Sequence, residues 1–284
     1  MIIFISLDSL EYHVHSWSIN TPNKTALIDK NKTISYKGLF EEIWASKQKL
    51  ELEYGISKGD TVILAANKNV AFVFIYFALH FIGAKVVPID ELLSQDRLKF
   101  ILDKISPKLI IGLENKINKI EFIGFDCFID LETSIIPADI SFPNLEDDAD
   151  LLFTTGTTGE PKGVILSHKN IAQSANNINS FIGNNHNDIE LLAMPISHSF
   201  GLARLKCVLS VGGTLVLLGS IVNMKRMFRM FDEYKITGFG MVPASWSYIN
   251  KMSGNKLAEY SNQLNYIELG SAYMSAEDKM SLTT

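Results

Sequence analysis

The chain has 284 residues, of which 47% are hydrophobic and 20% are charged, and its formal net charge at pH 7 is -5. This length and composition are typical of a globular protein with a large core, built as one large domain or as two lobes, and they exclude a peptide hormone or a linker. The mildly negative charge and the lack of a Lys/Arg cluster exclude nucleic acid as a partner.

The cysteines and the apolar segments bear on the compartment. Cys127 and Cys207 are far apart and form no CxxC pair, which favours a reduced, cytoplasmic protein over a disulfide scaffold. The opening residues 1–15 are apolar but lack the charged beginning and cleavage site of a signal peptide, so we expect them to be the first buried segment. The longest apolar stretch, Val70–Ala84, contains His80 and is shorter than the roughly 20 residues of a membrane span. We therefore expect a buried helix there and no membrane span.

Helical and strand-like patterns alternate along the chain. The first predicted elements are a helix capped by Ser35 and ending before Gly55, a strand in KGDTVILAA, the buried helix 70–81 ending at Gly83, a strand in KVVPID, a helix from Ser94 to Pro107 and a strand in KLIIGL. After a Pro- and Asp-rich stretch come a strand in LLAMP, a helix over 200–211, a strand in TLVLLG, a helix in NMKRMFRMFDEY, a strand in TGFGMVP, and a last strand and helix.

This alternation predicts an α/β fold with two lobes of mainly parallel β-sheet flanked by helices. The Pro- and Asp-rich stretch between Glu132 and Asp150 has the composition of a connector. We therefore expect a lobe boundary near residues 132–150.

The segment LLFTTGTTGEPKGVILSH, Leu151–His168, is the most informative part of the chain. Its glycines allow backbone N–H groups to turn inward as an anion-binding nest, while threonine hydroxyls add donors and Lys162 adds positive charge. A phosphate chain is the natural ligand of such a loop, and a glycine-rich hairpin turn is the alternative. A Walker A loop is excluded, because Pro161 and Gly163 break its spacing and the loop returns into a strand rather than a helix.

The loop resembles the signature of the adenylate-forming superfamily of acyl- and aryl-CoA synthetases, peptide-synthetase adenylation domains and beetle luciferases. Thr154 to Gly163 matches the family pattern Thr/Ser-Gly-Thr-Thr-Gly-x-Pro-Lys-Gly at every defining position. Further matches run along the whole chain: SYKGL, KGDTV, GAKVVPID, MPISHSFGL, VPAS and ELGSAYMS. The chain is thereby similar to the N-terminal part of that family's large domain.

The resemblance implies that the loop holds the β and γ phosphates of ATP while a carboxylate attacks the α-phosphorus, which gives acyl-AMP and pyrophosphate. It also implies Mg²⁺ as a cofactor, with Thr154 as a ligand of the ion. The residues that it assigns to the phosphate cradle are Thr154, Thr155, Gly156, Thr157, Thr158, Gly159 and Lys162.

PISHSFG resembles the family segment P-x-x-H-x-x-G, which places His198 as a catalytic residue between the acid and the α-phosphate. A structural histidine is the alternative. Ser199 and Phe200 are expected to contact the acid. Relatives that activate amino acids carry an Asp in this segment, because a buried cation without a partner is costly. Since Ser197–Phe200 has no acidic residue, we expect a carboxylic acid without an α-amino group.

Two further segments resemble substrate-contacting parts of the family. Gly270, Ser271 and Ala272 correspond to the backbone that passes the adenine, where Ser271 replaces the usual second glycine. Gly238 and Gly240 correspond to the lining of the acyl pocket, with a tight strand end as the alternative. His13 and His15 form an HVH pair, for which surface histidines are a better interpretation than a metal pair because no third ligand is in view.

The family's later motifs, including the Mg²⁺-binding Glu and the C-terminal lid domain with its catalytic Lys, are not found within residues 1–284. We therefore expect the chain to represent part of an AMP-forming acid:thiol ligase, with CoA or a carrier-protein thiol as acceptor, and to be inactive by itself. The alternative is a catalytically dead relative that acts as a nucleotide-binding or scaffold protein.

Overall fold

The computed structural model describes residues 8–29, 32–66, 69–113, 120–129, 131–132, 135–154, 161–219 and 221–283. The helices are α1 (Leu10–Asn20), α2 (Tyr36–Leu52), α3 (Val70–Ile82), α4 (Gln95–Ile105), α5 (His168–Ile182), α6 (Ser199–Ser210), α7 (Met224–Tyr234), α8 (Pro243–Ser253) and α9 (Ala276–Thr283). The strands are β1 (Thr25–Asp29), β2 (Lys32–Ser35), β3 (Thr61–Ala65), β4 (Lys85–Ile89), β5 (Leu109–Ile111), β6 (Glu121–Ile123), β7 (Asp148–Thr154), β8 (Lys162–Ser167), β9 (Ile189–Leu192), β10 (Thr214–Leu217), β11 (Gly238–Met241) and β12 (Tyr266–Leu269).

These strands form two sheets. The first has the order β12-β11-β9-β10-β1-β2 and the second the order β6-β5-β3-β4-β7-β8. Both are parallel except at one edge, where β2 runs antiparallel to β1 and β8 antiparallel to β7. The predicted α/β class with two mainly parallel sheets is confirmed.

Three hydrophobic clusters fill the layers around the sheets. The largest joins residues of both sheets, such as Leu215 and Leu64, through α2, α3, α5 and α6. A second packs α7 and α8 on the first sheet, and a third packs α4 on the second. Helices thus cover both faces of each sheet, which is why the strands are continuous apolar runs.

Helix α3 lies inside the central cluster, where nearly all of its side chains are buried. It begins at Asn69, whose side chain accepts a hydrogen bond from the Phe72 N–H, and it ends at Gly83 in the left-handed conformation. Its apolar surface therefore faces neighbouring protein on nearly all sides, as predicted. Among the described residues, no helix combines the length and the apolar character that crossing a membrane requires.

The stretch near residues 132–150, where we expect a lobe boundary, connects strands of one sheet. β3–β6 precede this stretch and β7 begins within it at Asp148, and all of them belong to the second sheet. The hairpin β1–β2 belongs to the first sheet, where β1 pairs with β10 in parallel. The chain therefore changes sheet after β2 and again after β8, because long-range strand pairing rather than local composition decides which strands are neighbours.

Other predicted elements have the expected positions, with small differences. Ser35 caps α2 and Ser167 caps α5 through side-chain hydrogen bonds. β9 ends at Leu192, before the end of the predicted strand LLAMP, because the chain turns at Pro195. The opening apolar segment leads into helix α1, of which Leu10 and Val14 face the core.

Candidate active site

The hairpin β7–β8 presents the Thr/Gly loop. Thr154 ends β7 opposite Lys162, the first residue of β8, and the Thr154 hydroxyl donates to the Lys162 carbonyl at 3.4 Å. The loop thus leaves one strand and returns into its antiparallel neighbour, as predicted. The remaining predicted cradle residues, Thr155, Gly156, Thr157, Thr158 and Gly159, lie outside the described residues.

His198 lies in a tight turn that is set by Gly201. A Cβ atom at Gly201 would lie 2.2 Å from the Pro195 carbonyl oxygen, so only glycine allows this close approach. The turn ends at His198, which is the N-cap residue of α6 and is exposed. The spacing of the P-x-x-H-x-x-G segment thus follows from the packing of α6 against this turn.

A cavity of about 310 Å³ joins the hairpin to this turn. Phe153, directly before Thr154, and His198 both line it, together with Asp90 at the carboxyl end of β4. Ligands of parallel α/β sheets bind outside the carboxyl ends of the strands, where this cavity lies. Its remaining lining residues are Pro88, Ile89, Leu92, Leu93, Ser94, Arg97, Ile101 and Ser197.

Phe200 is brought together with two of the predicted glycines. A Cβ atom would lie 3.4 Å from the Phe200 ring at Gly270 and 3.6 Å from it at Gly240. Ser199, next to Phe200, is exposed. Gly238 has a different neighbour, because a Cβ atom there would lie 2.2 Å from the Tyr266 ring. The Phe200 ring therefore packs next to Gly240 and Gly270, whereas the Tyr266 ring packs against Gly238.

The backbone at Ser271 adopts the left-handed conformation, with a φ of 67°. This conformation favours glycine and costs other residues roughly 1–2 kcal/mol. The serine therefore follows the backbone path that a second glycine would take. Ser271 and Ala272 are both exposed, which leaves this backbone open to a ligand.

A buried ion network beside these glycines was not anticipated from the sequence. Arg204, on α6 one turn after Phe200, is fully buried and donates to Glu190 of β9 through Nε at 2.9 Å and through Nη2. Tyr266 also donates to Glu190, at 2.6 Å. The Arg204 Nη1 lies 2.8 Å from an oxygen of Glu268 on β12. Burial alone would lower the pKa of Arg204, but Glu190 raises it far above its usual value.

A second buried network connects α1, α3, β7 and α6. His80 contacts Glu11 through Nδ1 at 2.7 Å and Asp150 through Nε2 at 3.2 Å. The Lys206 ammonium donates to Asp150 at 2.5 Å and the Tyr76 hydroxyl donates at 3.0 Å. Burial alone would lower the pKa of His80, but its hydrogen bonds to the two carboxylates raise that pKa to about 9. A protonated His80 and Lys206 therefore balance the charges of Glu11 and Asp150.

Glu11, His80 and His168 also offer one potential metal-ligand atom each within 4.8 Å of one another. Both His80 nitrogens already contact carboxylates, so an ion would have to displace a proton from an electrically neutral cluster. Predicted candidates His13 and His15 do not join this group. His15 packs instead on Phe40, with ring centroids 4.8 Å apart, and both histidines are half-buried.

Residues 15–283 match the family model described as AMP-binding enzyme. The chain is 30% identical to crotonobetaine/carnitine–CoA ligase of Citrobacter koseri over 251 residues, which cover 78% of this chain and 48% of the relative. It is 26% identical to vanchrobactin synthetase VabF of Vibrio anguillarum over 232 residues, which cover 79% of this chain and 8% of that protein. The chain thus spans less than half the length of these curated relatives.

Solved structures support the same fold. The N-terminal subdomain of Klebsiella oxytoca NpsA in complex with 3-hydroxybenzoyl-AMSN superposes with a TM-score of 0.84 at 19% identity, covering 96% of this chain and 69% of that one. VinN superposes with a TM-score of 0.81 at 20% identity, covering 97% of this chain and 71% of VinN. At these identities the likeness concerns the fold.

Proposed function

Since the chain belongs to the AMP-binding enzyme family, we propose that the protein activates a carboxylic acid with ATP, releases pyrophosphate as it forms an acyl-AMP intermediate, and transfers the acyl group to a thiol. The observation that carries this proposal is the shared cavity. Phe153, which leads into the Thr/Gly loop, and His198 line the same space at the carboxyl ends of the strands. A phosphate chain on the loop and an acid beside His198 would therefore meet there.

The residues of the hairpin fit ATP and Mg²⁺. The Thr154 hydroxyl and the exposed Lys162 ammonium lie at the two ends of the loop, where they would flank bound phosphates. In this proposal Thr154 to Gly159 and Lys162 hold the β and γ phosphates, and Thr154 also contacts Mg²⁺. The ion would neutralise phosphate charge, and the donors of the loop would position the α-phosphorus for attack.

The acid is proposed to bind beside His198, Ser199 and Phe200, with Gly240 and Gly270 behind the Phe200 ring. The segment Ser197–Phe200 offers no carboxylate to an α-ammonium group, so an acid without an α-amino group fits best. His198, exposed at the start of α6, would contact the reacting carboxylate. The acceptor is proposed to be CoA or a carrier-protein thiol, since a CoA ligase and vanchrobactin synthetase VabF are both similar to this chain.

The test is acid-dependent exchange of pyrophosphate into ATP, measured on the protein at its full natural length. We expect exchange with at least one acid from a broad panel of aliphatic and aromatic acids. The 284-residue chain by itself is expected to bind ATP without exchange, since it holds neither the family's Mg²⁺-binding Glu nor its lid Lys. ATP binding without exchange at full length would instead support the nucleotide-binding alternative.

A further inference from the structure

Glu268 stands at the edge of the first sheet where ligands of parallel strands bind. It is the penultimate residue of β12 and pairs across the sheet with Gly240. Gly270, two residues further, faces the same side. A Cβ atom built at either glycine would lie in van der Waals contact with the Phe200 ring, at 3.6 Å for Gly240 and 3.4 Å for Gly270. The Glu268 side chain therefore adjoins the space proposed for the acid.

The network that contains Glu268 carries an unbalanced charge. Arg204 supplies one positive charge, while Glu190 and Glu268 supply two negative charges. The other polar members, Tyr266 and Asn184, are neutral hydrogen-bonding groups. One carboxylate therefore has no full counter-charge within this network, and a half-buried negative charge attracts a cation or a strong donor.

The two carboxylates differ in how they are satisfied. Glu190 is fully buried and accepts hydrogen bonds from two guanidinium nitrogens and from the Tyr266 hydroxyl. Glu268 Oε2 is buried against Arg204 Nη1 at 2.8 Å, and apart from this ion pair neither atom has a partner among the described residues. The Glu268 side chain is 22% exposed, whereas that of Arg204 is 0% exposed. Glu268 is thus the end of the network that solvent or a ligand can reach.

The surroundings also affect the protonation of Glu268. Partial burial raises its pKa, the Arg204 charge lowers it and the Glu190 charge raises it again, with a net increase. A bound cation would favour the ionised carboxylate of Glu268 and lower its pKa again. The partial exposure of the Glu268 side chain and the unbalanced charge thus point to the same kind of ligand group, a cation.

We propose that Glu268 binds a protonated amine carried by the acid substrate, an inference that rests on the proposed function. Glu268 does not line the cavity beside His198, so the amine would lie away from the reacting carboxylate rather than on the α carbon. The ammonium group would donate to Glu268, and the Phe200 ring would pack on the adjoining carbon atoms. Glu268 is thereby a specificity-determining residue that the motifs of the sequence did not reveal.

The test compares acids that differ by one group of similar size. Pyrophosphate exchange is measured on the full-length protein with β-alanine against butyrate, 4-aminobutyrate against pentanoate, and 3-(aminomethyl)benzoate against 3-ethylbenzoate. We expect kcat/KM to favour the amine in at least one pair by about 10- to 100-fold, the range for a charge-assisted hydrogen bond. In Glu268→Gln the preference within that pair should fall to less than about 3-fold.

Glu277→Gln is the matched control. It replaces the same carboxylate by the same amide, but at an exposed position on α9 outside the site. It should keep the preference of the parent. The inference is overturned if every pair favours the methyl acid, or if Glu268→Gln keeps the amine preference. The first result needs no variant and therefore holds even if Glu268→Gln does not fold. Absence of exchange with a broad acid panel would instead overturn the proposed function, and this inference with it.

Discussion

The change Asp150→Asn probes the buried network around His80. Asp150 is fully buried and accepts hydrogen bonds from Tyr76, His80 and Lys206. Burial raises the pKa of Asp150, but the Lys206 charge and the His80 contact outweigh it and hold that pKa far below its usual value. The asparagine keeps the shape of the side chain and removes its charge, which leaves Lys206 buried without a counter-charge.

The expected loss follows from that unpaired charge. Removing one partner of a buried ion pair costs about 3–5 kcal/mol, because the other charge stays desolvated. At about 2–4 °C per kcal/mol for a large domain, the melting temperature should fall by roughly 6–20 °C. Thermal melts followed by circular dichroism and urea unfolding at pH 7 would measure both quantities.

Two further variants separate charge from other effects. Asp148→Asn makes the same change on the same strand, but Asp148 is exposed and lies 3.5 Å from the partly exposed Lys85, so it should cost less than about 1 kcal/mol. The double variant Asp150→Asn/Lys206→Met removes the Lys206 ammonium, which has no counter-charge in Asp150→Asn, and leaves Glu11 paired with His80. It should therefore be more stable than Asp150→Asn. Equal melting temperatures for Asp148→Asn and Asp150→Asn, or a double variant less stable than the single one, would refute this reasoning.

Four other outcomes are expected. The pKa of His80 rises from 6.5 to about 9 on folding, which contributes about 3 kcal/mol to the free energy of unfolding. This contribution should be complete below pH 6.5 and lost as the pH rises through 9. Urea unfolding across this range should therefore show falling stability in the parent and a flatter profile in His80→Gln. In the full-length protein, Thr157→Val should keep the melting temperature of the parent and lower the rate of ATP-dependent adenylation by roughly 10- to 1000-fold, because one hydrogen-bond donor to the phosphates is lost. An unchanged adenylation rate would show that the threonines only shape the turn. His198→Ala should raise the KM of the acid or lower kcat while ATP binding, measured by calorimetry, stays unchanged. Gly201→Ala should destabilise the fold by roughly 1–3 kcal/mol, since its Cβ would overlap the Pro195 carbonyl, whereas Gly38→Ala, whose Cβ has ordinary contacts, should be neutral or stabilising in the same melts.

Local patterns in the sequence determined the elements and marked the Thr/Gly loop of residues 154–162. Ser35 predicted a helix start, and Gly83 predicted a helix end, because caps act through hydrogen bonds and backbone conformations within a few residues. The Thr/Gly loop and the P-x-x-H-x-x-G turn were recognisable for the same reason. Each is a continuous segment whose chemistry does not depend on distant residues.

The tertiary structure alone decided which strands are neighbours and how buried charges are paired. β1 lies beside β10 and pairs Asp29 with Leu217, although most of the chain separates these two residues and no local signal marks the pairing. Glu11, His80 and Asp150 come from three separate elements, as do Glu190, Arg204 and Glu268. The local sequence around a charged residue does not predict which residue it pairs with, since an ion pair is favourable in the core only when folding brings both charges together. The sequence therefore determined the local chemistry of the loop, and the packing of helices between two sheets decided how the strands and the buried charges are paired.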